Sequence, residues 1–225
     1  MKNTLLLDAL GTIIELKPPA PRLRAELAAR GIEITAAESH KAIAAEIAYY
    51  REHMLEGGTV RGLKDLRERC TAVLAVELPE HARIASLGEV LMASLKFEAY
   101  PEVHGVLGAL RARGFQIVVV SNFDVSLKQI LKDTELDQFI EGVVISAERG
   151  IQKPNPLMFS LGLSVVRSTA ANAFHVGNSL EEDVRGAQAA RVDAVLLDRE
   201  DKLEAPEGVP RITTLRGLLD LAAQD

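Results

Sequence analysis

Four short apolar runs, each closing on a polar residue that can do chemistry, constrain this chain more than any other feature. Thr4-Leu5-Leu6-Leu7 ends at Asp8 and is followed by Gly11-Thr12. Ile117-Val118-Val119-Val120 ends at Ser121-Asn122, and Val143-Val144-Ile145 precedes Lys153-Pro154 by a few residues. Ala173-Phe174-His175-Val176 runs into Gly177-Asn178 and then Asp183. Continuous apolar runs of this length read as strands buried on both faces of a parallel sheet. Ligands of such sheets bind in the crevice at the carboxyl ends of the strands, so the four polar ends are expected to form one site.

Together these residue types support displacement by a carboxylate. Asp is a competent covalent nucleophile. Ser121, Thr12 and the turn after Asp8 offer hydroxyls and amides to an anion, Lys153 neutralises charge, and Asp183 can hold the lysine or a metal. Each fragment alone has a plainer reading. Asp-x-x-Gly-Thr after a strand makes a turn, and Ser121-Asn122 can cap the next helix. Lys153-Pro154 can be a solvated loop, and Gly177 to Asp183 a turn and helix start. Four unrelated turns have no reason to fall in this order at four strand ends, which favours the joint catalytic reading.

The segments Asp8-Ala9-Leu10-Gly11-Thr12, Val120-Ser121-Asn122, Lys153-Pro154-Asn155-Pro156 and His175-Val176-Gly177-Asn178-Ser179-Leu180-Glu181-Glu182-Asp183 resemble, in this order, the four motifs of the haloacid dehalogenase superfamily. The resemblance spans nearly the whole chain. It implies an α/β fold: a Rossmann-like, doubly wound parallel sheet core with an all-helical cap inserted after the first strand. The expected bounds are 1–15 and 97–225 for the core and 16–96 for the cap. It further implies a hydrolase using an Asp nucleophile, most often a Mg²⁺-dependent phosphatase acting on a small phosphorylated metabolite. The implied catalytic set is Asp8, Thr12, Ser121, Asn122 and Lys153, with Ser121, Asn122 and Lys153 on the substrate. Asp8, the Leu10 carbonyl, Asn178 and Asp183 are the implied Mg²⁺ site.

Two positions depart from the family's phosphatase pattern. The second Asp of the first motif, which serves there as general acid and base, is Leu10 here and cannot exchange a proton. The Asp that opens the fourth motif is Asn178, a neutral oxygen donor in place of an anionic one, so Mg²⁺ binding should be weaker. An alternative is a 2-haloacid dehalogenase-like enzyme. In those relatives the position of Leu10 is typically Tyr, that of Phe159 is Tyr, and an early cap helix supplies an Arg. No Arg lies between Thr35 and Tyr50. A third reading is a catalytically impaired anion-binding protein with the same fold.

Composition narrows the class. At 225 residues the chain can bury a full core or carry an inserted lobe. Its single cysteine, Cys70, permits no intrachain disulfide, which points to a reducing compartment. A net charge of −6 argues against a general nucleic-acid binder. The start Met-Lys-Asn with a few leucines is not a signal peptide and no apolar run reaches membrane length, so a cytoplasmic protein is expected.

After Thr12 the pattern turns helical: 20–30 ending at Gly31, 36–55 with Thr35 as N-cap, 60–76, and 79–95 with Pro79 in the first turn. From Tyr100-Pro101, helices at 103–113, 125–131, 156–165, 180–190 and 215–223 alternate with strands at 117–120, 143–145, 174–176 and 194–197. Such alternation implies right-handed parallel crossovers. His175 reads as a packed or hydrogen-bonded core histidine, and Asp124 as a helix N-cap.

Overall fold

Leu5, Leu6 and Leu7 are all fully buried, and their alternation distributes them between two faces of a central sheet. Leu5 and Leu7 join one apolar cluster, and Leu6 joins the other. In the computed structural model, which describes residues 2–221, β1 (Thr4–Leu7) leads through a tight turn into β2 (Ile14–Leu16). Four helices follow: α1 (Pro19–Ala28), α2 (Ala36–His53), α3 (Val60–Glu77) and α4 (Leu87–Ser94). β3 (Phe97–Ala99) then returns antiparallel to β2.

The remainder alternates α5 (Val103–Ala112), β4 (Gln116–Ser121), α6 (Leu127–Asp133), β5 (Gly142–Ile145), α7 (Ser146–Arg149), α8 (Pro156–Val165) and β6 (Ala173–Gly177). A π-helical turn, Leu180–Arg185, runs into α9 (Gly186–Ala189), followed by β7 (Asp193–Leu197), β8 (Arg211–Ile212) and α10 (Gly217–Leu221). The main sheet has the order β5-β4-β1-β6-β7-β8 with every pairing parallel. Leu7 is level with Val119 on one side and Val176 on the other, so the ends of β4, β1 and β6 open on the same edge.

The helical insertion has its own apolar cluster, built on Leu23, Leu27, Ile43, Leu66, Leu74 and Leu91. Thr35 begins α2 through a reciprocal capping box with Glu38, which satisfies two backbone N–H groups at once. Gly57 and Tyr50 bring the insertion onto the loop after β4. The Val125 N–H donates to the Gly57 carbonyl at 3.1 Å, and the Tyr50 hydroxyl donates to Asp124 Oδ2 at 2.6 Å.

Several elements differ from the sequence reading. The helix expected over 79–95 is a 3-10 turn, Glu80–Ala82, followed by α4 from Leu87. Arg83, at φ −85° and ψ +63°, breaks the helical path, and its guanidinium bonds the Leu78 carbonyl instead. The helix expected over 180–190 is divided between the π-helical turn and α9. The ribbon β2–β3 and the short elements α7 and β8 have no counterpart in the sequence pattern. Segments of two to four residues carry too little periodicity to read. The last helix occupies Gly217–Leu221, and the expected positions 222–223 lie outside the described residues.

Candidate active site

The turn after β1 is wound so that the N–H groups of Thr12, Ile13 and Ile14 all donate to the Ala9 carbonyl, at 3.1, 2.8 and 3.0 Å. Gly11 closes it at φ +82°, a conformation that strains residues with a Cβ. A Cβ there would also meet the Asn178 amide at 2.2 Å, so Asn178 packs directly on the first turn. Asp8, 7 % exposed, is presented by this turn. Its Oδ1 accepts from Ser121 Oγ at 3.1 Å and Lys153 Nζ at 2.7 Å, and its Oδ2 accepts from Thr12 Oγ1 at 3.1 Å. Donors from three separate segments thus converge on one carboxylate.

Asn122 spends both polar atoms on the backbone of Lys153. Its Oδ1 accepts the Lys153 N–H at 2.7 Å, and its Nδ2 donates to the Lys153 carbonyl at 3.0 Å. The Lys153 ammonium is thereby aimed into the sheet edge, where it also donates to Asp183 Oδ1 at 2.5 Å. Asp183 Oδ1 accepts from His175 Nε2 at 2.9 Å as well, and Oδ2 accepts the Ser179 N–H at 3.0 Å. The carboxylate folds back across the strand end into the space a Cβ on Gly177 would fill, 2.1 Å from Asp183 Cγ. That close approach explains why Gly177 and Asp183 come as a pair.

Burial alone would neutralise Lys153, but the charges of Asp183 and Asp8 outweigh it and hold its ammonium well above the usual lysine range. Burial likewise opposes ionisation of Asp183, and Lys153 and His175 overcome it, keeping the carboxyl far below the ordinary carboxylate range. His175 is pushed down, first by burial and against the pull of Asp183; its Nε2 faces Asp183 while its Nδ1 has no partner among the described residues. Leu10, by contrast, two residues after Asp8, exposes 38 % of its surface. Phe159 is fully buried with its ring edge-on to His175 at 4.9 Å, so it packs beneath the site rather than facing into it.

Asp8, Thr12, Ser121 and Lys153 are in direct contact, Asp183 joins through Lys153, and Asn122 supports the lysine. Asn178 lies on the Gly11 side of the turn, exposed. His175, expected as a packed or hydrogen-bonded core histidine, is both, and its hydrogen-bond partner is Asp183. The sequence reading does not single out Arg199, whose guanidinium bonds the carbonyls of Gly11 and Thr12. The end of the Ala194–Leu197 run, treated like the other four strand ends, is the signal that would have found it. Asp124, expected as the N-cap of the helix after β4, does not take that place, because α6 starts later with Ser126 before it. Its Oδ1 accepts the Ser126 N–H at 2.7 Å, one residue ahead of α6, and its other oxygen holds Tyr50.

A family model described as haloacid dehalogenase-like hydrolase matches residues 2–191. Ribulose-1,5-bisphosphate 5-phosphatase of Halopiger xanaduensis is 32% identical over 117 residues, 52% of this chain and 49% of that protein. Phosphoserine phosphatase of Thermus thermophilus is 34% identical over 142 residues, 61% of this chain and 56% of that protein. The chain thus spans about half the length of the curated relatives it matches. Among solved structures, magnesium-bound YfnB of Bacillus subtilis aligns with a TM-score of 0.72 at 22% identity, covering 99% of each chain. A 2-haloacid dehalogenase of Pseudomonas syringae pv. Tomato aligns at 0.70 and 21% identity, covering 100% of this chain and 99% of its own. At such identities the two structures share the fold of this chain.

Proposed function

Because the chain belongs to the haloacid dehalogenase-like hydrolases, we propose that it is a phosphatase of a small phosphorylated metabolite, with Asp8 as its nucleophile. The observation that carries this reading is the buried Asp8 carboxylate ringed by Thr12, Ser121 and Lys153. The phosphatase names of the sequence relatives support it. In this reading residues 1–15 and 97–225 form the catalytic core, and the helical insertion 16–96 covers the site and selects the substrate.

An Asp8 oxygen attacks phosphorus, the bond from phosphorus to the leaving oxygen breaks, and the phosphoryl group passes to Asp8 as an acyl phosphate. Thr12, Ser121 and Lys153, which hold Asp8 in the free protein, are the donors available to the phosphoryl oxygens. Asn122 acts through the lysine it positions. Water then attacks phosphorus, breaks its bond to Asp8, and releases phosphate with the carboxylate restored. Leu10 has no proton for the leaving oxygen and no base for that water. Leaving groups stable as anions, such as aryl or acyl phosphates, are therefore favoured.

The resemblance implies Mg²⁺, and the donors of this site fit it. Asp8, the Leu10 carbonyl and the Asn178 amide are hard oxygen donors grouped at one turn, while both Asp183 oxygens already accept N–H donors. Among the described residues no group of three His, Cys, Asp or Glu could hold a metal, and of the three donors at the turn only Asp8 is anionic. Mg²⁺ tolerates such a set, because it keeps several waters and binds substrate phosphates. When bound it would neutralise charge on the phosphoryl oxygens. Burial pushes the Cys70 thiol up to about 12, which disfavours the reactive thiolate, and the lone free cysteine is the feature behind the cytoplasmic location we propose. No helix among the described residues is long and apolar enough to cross a membrane.

A panel of phosphorylated metabolites and aryl phosphates, assayed with and without Mg²⁺, tests the reading. Mg²⁺-dependent phosphate release is expected, fastest from aryl esters. Halide release from a 2-haloacid with no phosphate release from any ester would replace it by the dehalogenase reading.

A further inference from the structure

We infer that Arg199 is a positioning residue for the nucleophile, acting through the turn that carries the chain from Asp8 into the helical insertion. Arg199 lies two residues past β7, and its side chain is 17% exposed. Its Nε donates to the Gly11 carbonyl at 3.2 Å, one terminal nitrogen to the Thr12 carbonyl at 2.7 Å, and the other to Glu102 Oε1 at 2.7 Å. The guanidinium also stacks on Tyr100, with its carbon 3.5 Å from the ring centroid. One side chain therefore touches both roots of the β2–β3 ribbon: Gly11-Thr12, where the chain leaves the sheet, and Tyr100 with Glu102, where it returns.

This bracing bears on catalysis because of what the turn does with its own polar groups. The N–H groups of Gly11, Thr12, Ile13 and Ile14 are used internally, on Ile14 and Ala9, whereas the Gly11 and Thr12 carbonyls accept from Arg199. Thr12 is also the residue whose hydroxyl holds Asp8 Oδ2. Any drift of the Thr12 backbone thus displaces a donor on the reacting carboxylate, and drift at Gly11 moves the turn against Asn178. A planar fork can bond two carbonyls at once while its face stacks on an aromatic ring; an ammonium cannot.

The inference rests on the reading of Asp8 as nucleophile, so its test has an arm that does not depend on turnover. Arg199→Met and Arg199→Lys would be compared with the wild-type chain in aryl-phosphate kinetics, with and without added guanidinium chloride. Amide hydrogen exchange would be followed over the peptide 8–16. Misplacing a reacting group by about an ångström costs roughly 10²-fold. Arg199→Met should therefore lose about that much kcat with little change in KM, and regain part of it with guanidinium. Exchange should accelerate at 11–14 and not across the sheet, with Arg199→Lys intermediate in both respects. Wild-type kcat in a folded Arg199→Met, or a loss that guanidinium does not relieve together with exchange raised throughout the sheet, would overturn it. If Arg199→Met does not fold, wild-type kcat and exchange in Arg199→Lys overturn it equally. Should the wild-type chain hydrolyse no phosphate ester, the phosphatase reading fails, and unchanged exchange at 11–14 in the variants would separately reject the bracing.

Discussion

Lys153 Nζ stands 2.7 Å from Asp8 Oδ1 with its side chain only 1% exposed, so the cation paired with Asp8 is sealed into the protein. Its second partner, Asp183, is equally buried. The arrangement fixes where stability depends on pH. Lys153 is raised above its ordinary 10.5, so its contribution is complete below that value and is lost only as pH rises through the higher folded value. Asp183 is lowered from 3.8, so its contribution is complete above that value and is lost as pH falls toward the folded one. Wild-type thermal stability should hold through neutral pH and decline below about pH 4. Asp183→Asn, which leaves Lys153 short of a buried partner, should cost about 3–5 kcal/mol at pH 7 and flatten the acid limb. A variant melting like wild type at pH 7 would show that this pair contributes little.

Leu10 can neither give nor take a proton at its position two residues from Asp8. General acid-base catalysis contributes about 10²–10⁴-fold, so alkyl phosphates should turn over slowly and aryl esters less so. Leu10→Asp should raise alkyl-phosphate turnover in the presence of Mg²⁺, which offsets repulsion between the two carboxylates. A folded, Mg²⁺-supplied variant with no gain on any ester would count against phosphoryl transfer here.

Asn178 contributes an amide where a carboxylate would bind a cation more strongly. Asn178→Asp should tighten Mg²⁺ at least several-fold, read by calorimetric titration independently of turnover. Equal or weaker affinity would place the metal elsewhere.

Glu46 is 4% exposed in the helical insertion, and its carboxyl is pushed above the ordinary 4.5 by burial, which outweighs its hydrogen bond with Cys70. A raised carboxyl favours folding below its ordinary value, and that advantage disappears as pH rises through the folded one, so at neutral pH the group carries a cost. Glu46→Gln should raise Tm at pH 7 by roughly 2–4 °C, the effect of about 1 kcal/mol in a chain of this size. The gain should vanish near pH 4, and a gain of equal size at both pH values would contradict the assignment.

The parts of the molecule legible in the sequence were those written as long apolar runs with chemistry at their ends. Asp8, Ser121 and Asn178 follow from strands whose register is forced by burial on both faces. The Thr35 cap was readable because the box is local. What escaped was set by distant partners. His175 reads as a packed or hydrogen-bonded core residue, but its partner appears only when Asp183 folds back over Gly177, and Arg199 meets Gly11 and Thr12 only when the segment after β7 reaches across β6 to the turn after β1. The break at Arg83 was hidden because Pro79 is a good first-turn residue and the ψ angle that ends the turn leaves no mark in the composition.

The most direct test of Asp8 as a phosphoryl-accepting nucleophile is turnover of an aryl phosphate in heavy-oxygen water, with mass spectrometry of the released phosphate and of the peptide carrying Asp8. Attack of water on phosphorus predicts label in the phosphate, none in Asp8, an acid-quenched protein phosphorylated at Asp8, and neither turnover nor phosphorylation in Asp8→Asn. Label in the Asp8 carboxylate, or wild-type turnover by a folded Asp8→Asn, would contradict it.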